Sequence, residues 1–425
     1  HRSEYWKHGS ICEDFSAVQV PVLAVSGWAD GYTNAVFRLV ENLHSPVKGM
    51  VGPWSHKYPH EGKPGPAICF MQECIKWWDK WLKGVDNDVM DGPKLVAWMQ
   101  DSVPPLTKYK YRPGRWVGQN SWPEDNIAYK KYTLGHHVLE ETEDVEVKPI
   151  PIQSPLTVGL FAGKWCSYHA GPDLPHDQRQ EDGGAVIFET APLTETIEIM
   201  GPAVADLTVS SDKPNAMIAV RLSDVAPDGK ATRVTYQVLN LTHRNSHEHP
   251  EELVPGKSYK IELQLNDIAQ VFPKGHKLRL SVSSSYWPLA WPSPEPAMLQ
   301  IYTGKSSFRV PVRQRKESDQ RISFGAPESA PPMKKEVIDG QKHSWRVIRN
   351  LATDKSELEI VKDLGKYHIE AIDLIREYAA YEWYRNQSDD FDSAEGETLW
   401  KQHFSREGWD VTTTTKTRLT CDKDN

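Results

Sequence analysis

Residues 20–26, VPVLAVS, form a nearly unbroken apolar run, the mark of a strand buried on both faces. In TNAVFRLVENL, just downstream, Val36, Leu39, Val40 and Leu43 recur at helical spacing. VKGMV then reads as a second short strand. CFMQECIKWWDKWLKG reads as an amphipathic helix with Phe70, Cys74, Trp77, Trp78 and Trp81 on or near one stripe, closed by Gly84. Strand, helix, strand, helix over 18–84 predicts a parallel sheet covered by helices.

The texture changes near residue 92. PKLVAWMQ, TIEIMGPAVADLTVSS, AMIAVRLSDVAPDGKATRVTYQVLNLTHR and SSFRVPVRQR are short alternating segments punctuated by Pro, Gly, Asp and Asn. Such strands predict an antiparallel β-sandwich of jelly-roll type, and APDGKA is a hairpin turn signal. Residues 314–342 are polar and Pro-rich and read as a surface excursion. Alternation resumes from residue 343 in HSWRVIRNLA, SELEIVKD and KYHIEAIDLIREYAAYEWYR. The expected fold is therefore α/β plus all-β, divided near residue 90, with 1–90 as one unit and 91–425 as the other.

Composition narrows the function. The 425 residues are 25% charged and 39% hydrophobic with a formal net charge of -8, which offers no basic footprint for nucleic acid and no polybasic membrane patch. No run of about 18 apolar residues exists to span a bilayer. The five cysteines, Cys12, Cys69, Cys74, Cys166 and Cys421, are scattered, without CxxC or metal-ligand spacing, and read as free thiols of a cytoplasmic protein. No metal site is expected: His243, His247 and His249 in THRNSHEHP read as an exposed polar loop.

The candidate chemistry sits where the two predicted strands end. GWADGY follows the first and GPWSHKYP the second, so Asp30 and His56 fall on adjacent strand–helix connections. In an open parallel sheet, active sites gather beyond the C-terminal ends of the strands. Asp then His is the order in which an α/β-hydrolase triad closes, the acid orienting the imidazole and the imidazole taking a serine proton. Each residue alone has a plain structural alternative, a helix N-cap for the aspartate and a packing role for the histidine. Gly27 and Gly52 are expected to permit the tight turns that aim the two side chains. Trp28, Tyr32 and Trp54 flank the pair and are candidates to line an apolar acyl pocket or to pack beneath it.

These segments, together with DQRQEDGGAVIFETAPLTETIEIMGPAVADLTVSSD, ELVPGKSYKIELQLNDIAQVFPKGHKLRLSVSSSYWP and REGWDVTTTTKTRLTCD, resemble the cocaine esterase and X-Pro dipeptidyl-peptidase family of serine hydrolases. The resemblance implies Asp30 as triad acid, His56 as triad base and no cofactor. It implies a small ester, amide or short peptide as substrate. Residues 1–90 would be the C-terminal part of an α/β-hydrolase domain, and 91–425 the jelly-roll domain. That family's nucleophilic serine lies in a glycine-flanked elbow well before the acid. Only 29 residues precede Asp30 here, no G-x-S-x-G occurs, and Ser55 beside His56 has no elbow around it. The expectation is a C-terminal fragment holding acid and base without nucleophile, inactive by itself. The rival expectation is a non-catalytic module whose sandwich binds carbohydrate or protein, with Trp287 and Trp291 as an aromatic platform. The sequence does not set the oligomeric state, and a homo-oligomer is compatible with it.

Overall fold

The first apolar run becomes β1 (Val22–Gly27), and VKGMV becomes β2 (Val47–Gly52). The computed structural model describes residues 2–169 and 171–421, so the last motif is described only as far as Cys421. β1 and β2 are parallel and in register from Val22 opposite Val47 to Gly27 opposite Gly52. β3 (Leu95–Gln100) joins β2, again parallel. Between β1 and β2, α1 (Thr33–Asn42) lays Val36, Phe37 and Val40 on a core with Ala24, Val51 and Leu95. α2 (Phe70–Lys83) buries Phe70, Cys74 and Trp77 and ends at Gly84, whose φ of 69° lets the last carbonyls be capped. Trp78 follows Trp77 and so points about 100° away around the helix, which leaves it half-exposed.

The sheet continues past β3. Gly114–Gln119 pairs with β3 antiparallel, and Gln100 bridges to Gln270 in the strand Ile268–Phe272. This makes one 13-stranded sheet. Opposite it lies a four-stranded antiparallel sheet in the order Ala231–Asn240, Met217–Val225, Lys277–Ser283, Val186–Glu189. Leu207 and Phe308 from one sheet meet Ile218 and Leu280 from the other, all of them at 1% exposure or less. The molecule is mostly β, with few helices.

The stretch expected as a surface excursion behaves in two ways. Glu317–Arg321 packs back on the large sheet, where Asp319 accepts from the Gly118 amide and forks onto the fully buried Arg313. Residues 325–340 are exposed. From Lys335 to Thr420, six strands form an antiparallel sheet of their own, with strands as long as the 17 residues of Asp390–Arg406. That sheet grips the irregular segment 154–176. Leu160 packs on Leu358 and Ile360, the Leu156 amide donates to Asp389 at 3.1 Å, and Lys164 pairs with Glu382. No helix among the described residues is long and apolar enough to cross a membrane.

Candidate active site

The ladder between β1 and β2 runs on past the strands. The Trp28 amide donates to the Gly52 carbonyl at 2.9 Å, and the Ala29 amide to the Trp54 carbonyl at 3.0 Å. The two loops are thereby held side by side, and Asp30 and His56 come from the same end of the sheet. Gly27 and Gly52 contribute differently from the expectation. Neither has a positive φ. Their role is close approach: a Cβ on Gly27 would lie 2.1 Å from the Trp54 carbonyl oxygen, and one on Gly52 would lie 2.4 Å from the Trp54 indole.

Asp30 and His56 meet. His56 Nδ1 stands 3.0 Å from Asp30 Oδ2. The other carboxylate oxygen, Oδ1, accepts from the Tyr32 amide at 3.0 Å, so the carboxylate is fixed on both sides. Its side chain is 11% exposed while the imidazole is 44% exposed. The acid is thus sheltered and the base presented, as proton transfer to an incoming group requires. His56 Nε2 has no hydrogen bond among the described residues. Tyr32 and Tyr168 stand at either side of the ring, their centroids 6.0 and 5.0 Å from it.

The segment 165–168 completes the site, and sequence reasoning missed it. The Ser167 amide donates to the Ala29 carbonyl at 3.0 Å, and the His56 amide to the Ser167 carbonyl at 2.7 Å. Trp165 packs edge-on against Tyr32 at 5.4 Å, and Cys166 Sγ lies 3.7 Å from Asp30 Oδ1. Asp30, His56 and Cys166 bring three metal-ligating atoms within 4.8 Å of one another. No periodicity marks this segment, and Ala29, Asp30, Tyr32 and His56, which it contacts in the site, are more than a hundred positions away in the chain. The nearby Asp173, whose carboxylate accepts from Ser167 Oγ and from the Tyr168 and His169 amides, gave the only local hint of a tight loop.

The flanking aromatics separate. Trp54 is 1% exposed and donates its indole N–H to the Pro66 carbonyl, so it packs under the site. Trp28 donates to the Trp98 carbonyl and stacks on Phe37, yet one side of it lines a cleft between the strand ends and the sandwich. Tyr32 is exposed. Asp30, Trp165, Arg233 and Asp267 line the same cleft, and His56 does not. Ser55 is buried and donates to the Lys63 carbonyl, turned away from the imidazole. Trp287 and Trp291 form no platform: Trp287 is 1% exposed and the two rings stand at 86°. His243 and His247 approach each other on a polar loop, and among the described residues no third ligand joins them.

Burial pushes the Asp267 carboxyl up to about 7, against the pull of Arg38 and with some help from Glu41. A folded-state value above the unfolded one means that the folded protein holds this proton more tightly. Its stability contribution therefore falls as pH rises from about 4 to about 7 and is flat above. Asp267→Asn removes the ionisation. Its advantage in Tm over the native chain is expected to grow across that range and then level off. Thermal melts across the pH series check this, and an advantage independent of pH would refute it.

With this geometry in place, comparison with known proteins is informative. Residues 87–348 match the model of the X-Pro dipeptidyl-peptidase C-terminal non-catalytic domain, and residues 1–58 match that of the X-Pro dipeptidyl-peptidase S15 family. Cocaine esterase of Rhodococcus sp. (strain MB1 Bresler) is 25% identical over 309 residues, covering 67% of this chain and 52% of that protein. The chain spans about half the length of curated relatives such as cocaine esterase. Among solved structures, a CocE/NonD family hydrolase from Staphylococcus aureus shares the fold at a TM-score of 0.57 and 15% identity, over 73% of this chain and 57% of that one. An alpha-amino acid ester hydrolase does so at 0.58 and 17%, over 73% and 59%. With more than half of its length matched by one family model and a related model matching its start, the chain belongs to the cocaine esterase and X-Pro dipeptidyl-peptidase family of serine hydrolases.

Proposed function

We propose that this chain carries the acid and the base of a serine-hydrolase triad, Asp30 and His56, working on small esters, acyl amides or X-Pro peptides through an acyl-serine intermediate. Residues 1–90 are then the end of an α/β-hydrolase domain and residues 91–425 a jelly-roll-like domain with its appended sheet. The observation that carries the reading is the 3.0 Å contact between Asp30 Oδ2 and His56 Nδ1 at the C-terminal ends of two parallel strands. The family membership and the esterase and hydrolase names of its relatives support it.

In this reading the carboxylate keeps the imidazole proton on Nδ1, so Nε2 offers its lone pair. Nε2 removes the proton of the attacking serine, and the imidazolium, stabilised by Asp30, then protonates the leaving alkoxide or amine. Two serines whose backbones adjoin His56 are otherwise engaged, Ser55 with the Lys63 carbonyl and Ser167 with Asp173. In this reading neither of them is the nucleophile, and another serine of the enzyme approaches Nε2. Reducing surroundings suit the unbridged Cys69, Cys74 and Cys166. The perpendicular rings, with Trp287 buried, speak against the carbohydrate-platform alternative.

Proton NMR of this chain tests the pairing directly. A strongly deshielded imidazole N–H resonance is expected, absent in Asp30→Asn and in His56→Ala. A spectrum without such a signal, or one that keeps it in both variants, refutes the pairing.

A further inference from the structure

Cys166 has no part in that mechanism, yet its sulfur sits against the catalytic carboxylate. We infer that Asp30, His56 and Cys166 form a binding site for a thiophilic divalent cation of the zinc type, in which the metal replaces the proton shared by Asp30 and His56.

Three kinds of observation carry this. The donors are of the right chemistry: thiolate sulfur, imidazole nitrogen and carboxylate oxygen are the ligands that zinc and cobalt(II) take. They also have suitable spacing. Ligands around a tetrahedral zinc stand about 3.3–3.7 Å from one another, given metal–ligand bonds of about 2.0–2.3 Å. Here Asp30 Oδ2 lies 3.0 Å from the imidazole nitrogen and Asp30 Oδ1 lies 3.7 Å from the sulfur, and one donor atom from each residue falls within 4.8 Å of the other two. Finally, the three segments are fixed before any metal arrives. The Ala29 carbonyl accepts from the Ser167 amide, the Ser167 carbonyl accepts from the His56 amide, and Tyr32 N–H holds Asp30 Oδ1. A site whose backbone is already hydrogen-bonded spends little ordering entropy on binding. The partly exposed imidazole leaves an approach from solvent and a fourth position for water.

The balance of the step is simple. The thiol releases one proton to solvent and its sulfur binds the cation. The imidazole proton moves from Nδ1 to Nε2, Nδ1 binds the cation, and Asp30 changes partner from N–H to metal. With Nε2 now protonated and Asp30 withdrawn, the pair has no lone pair to offer a serine, so the bound metal switches off the acid–base chemistry proposed above. Binding itself does not depend on that chemistry being correct, and it is measured without turnover.

The test is titration of the untagged chain with cobalt(II) as a spectroscopic probe, followed by displacement with zinc. A thiolate-to-cobalt charge-transfer band in the near ultraviolet, with visible bands of tetrahedral cobalt, is expected. Zinc should abolish both. Cys166→Ser and Cys166→Ala should lose the charge-transfer band, while the triple change Cys12→Ser, Cys69→Ser, Cys74→Ser retains it. His56→Ala, at a half-exposed ring, should keep the fold and weaken cobalt binding by about tenfold or more. No band at millimolar cobalt in the native chain would overturn the assignment. So would a band that survives loss of Cys166, or an affinity indifferent to His56.

Discussion

On the proposed serine-hydrolase reading, His56→Ala is expected to lower kcat of the active enzyme by about 10⁶-fold with KM little changed. In that reading the substitution removes the group that takes the serine proton and later returns it to the leaving group. The fold should tolerate it. The imidazole is 44% exposed, and the contact that ties residue 56 to the segment behind it is made by the backbone amide, donating to Ser167, which alanine keeps. Steady-state kinetics on an ester and on an X-Pro anilide, beside a thermal melt, separate the two effects. A variant with near-native turnover and an unchanged Tm would remove His56 from the mechanism. Loss of activity with a collapsed Tm would instead show a structural role.

How far the sequence foretold this arrangement depends on the range of the interactions concerned. β1, α1 and β2 were legible because their order is set by local periodicity, and the rule that sites gather at strand ends then placed Asp30 beside His56. The strand begins at Val22 rather than at Val20, which is 67% exposed. Here apolar character marked the run and backbone pairing set its start. The glycines were recognised for the wrong reason: the need at Gly27 is space for the Trp54 carbonyl, a cross-strand contact that no turn signal encodes. Trp54 itself could be placed only with the fold in view, because an indole beside a catalytic loop packs beneath it or lines it with equal ease.

The segment 154–176 was illegible for a physical reason. It is neither strand nor helix for most of its length, so no repeat of apolar positions betrays it. Its position comes from two faces that lie far away in the chain, the Ala29 and His56 backbone on one side and Leu358, Ile360 and Glu382 on the other. Alternation in the tail was correctly read as strands, but alternation fixes only which face is buried, and the partner strands remain unspecified. The strands from Lys335 onward pair with one another and hold that segment from behind.

Asp30→Asn is expected to lower kcat by about 10⁴-fold, again with little change in KM or Tm, because the substitution reverses the hydrogen-bonding sense of the imidazole. The argument follows from the contacts of each carboxylate oxygen. Oδ1 accepts from the Tyr32 amide at 3.0 Å and faces the Cys166 thiol at 3.7 Å. An asparagine in this place must put its carbonyl oxygen there, since its NH₂ would meet a donor. The NH₂ group is then forced to the position of Oδ2, 3.0 Å from His56 Nδ1. An NH₂ donates, so Nδ1 must accept, and the imidazole proton moves to Nε2, where the serine proton was to go. The ring stays in place and the side chain keeps its volume, which is why binding and stability change little. A loss of about 10⁴ corresponds to about 5.5 kcal/mol of transition-state stabilisation. The same protein should lack the deshielded N–H resonance. Together, the kinetic loss and the missing resonance would tie the activity to the tautomer; full turnover in Asp30→Asn would show that the carboxylate has no part in orienting the base.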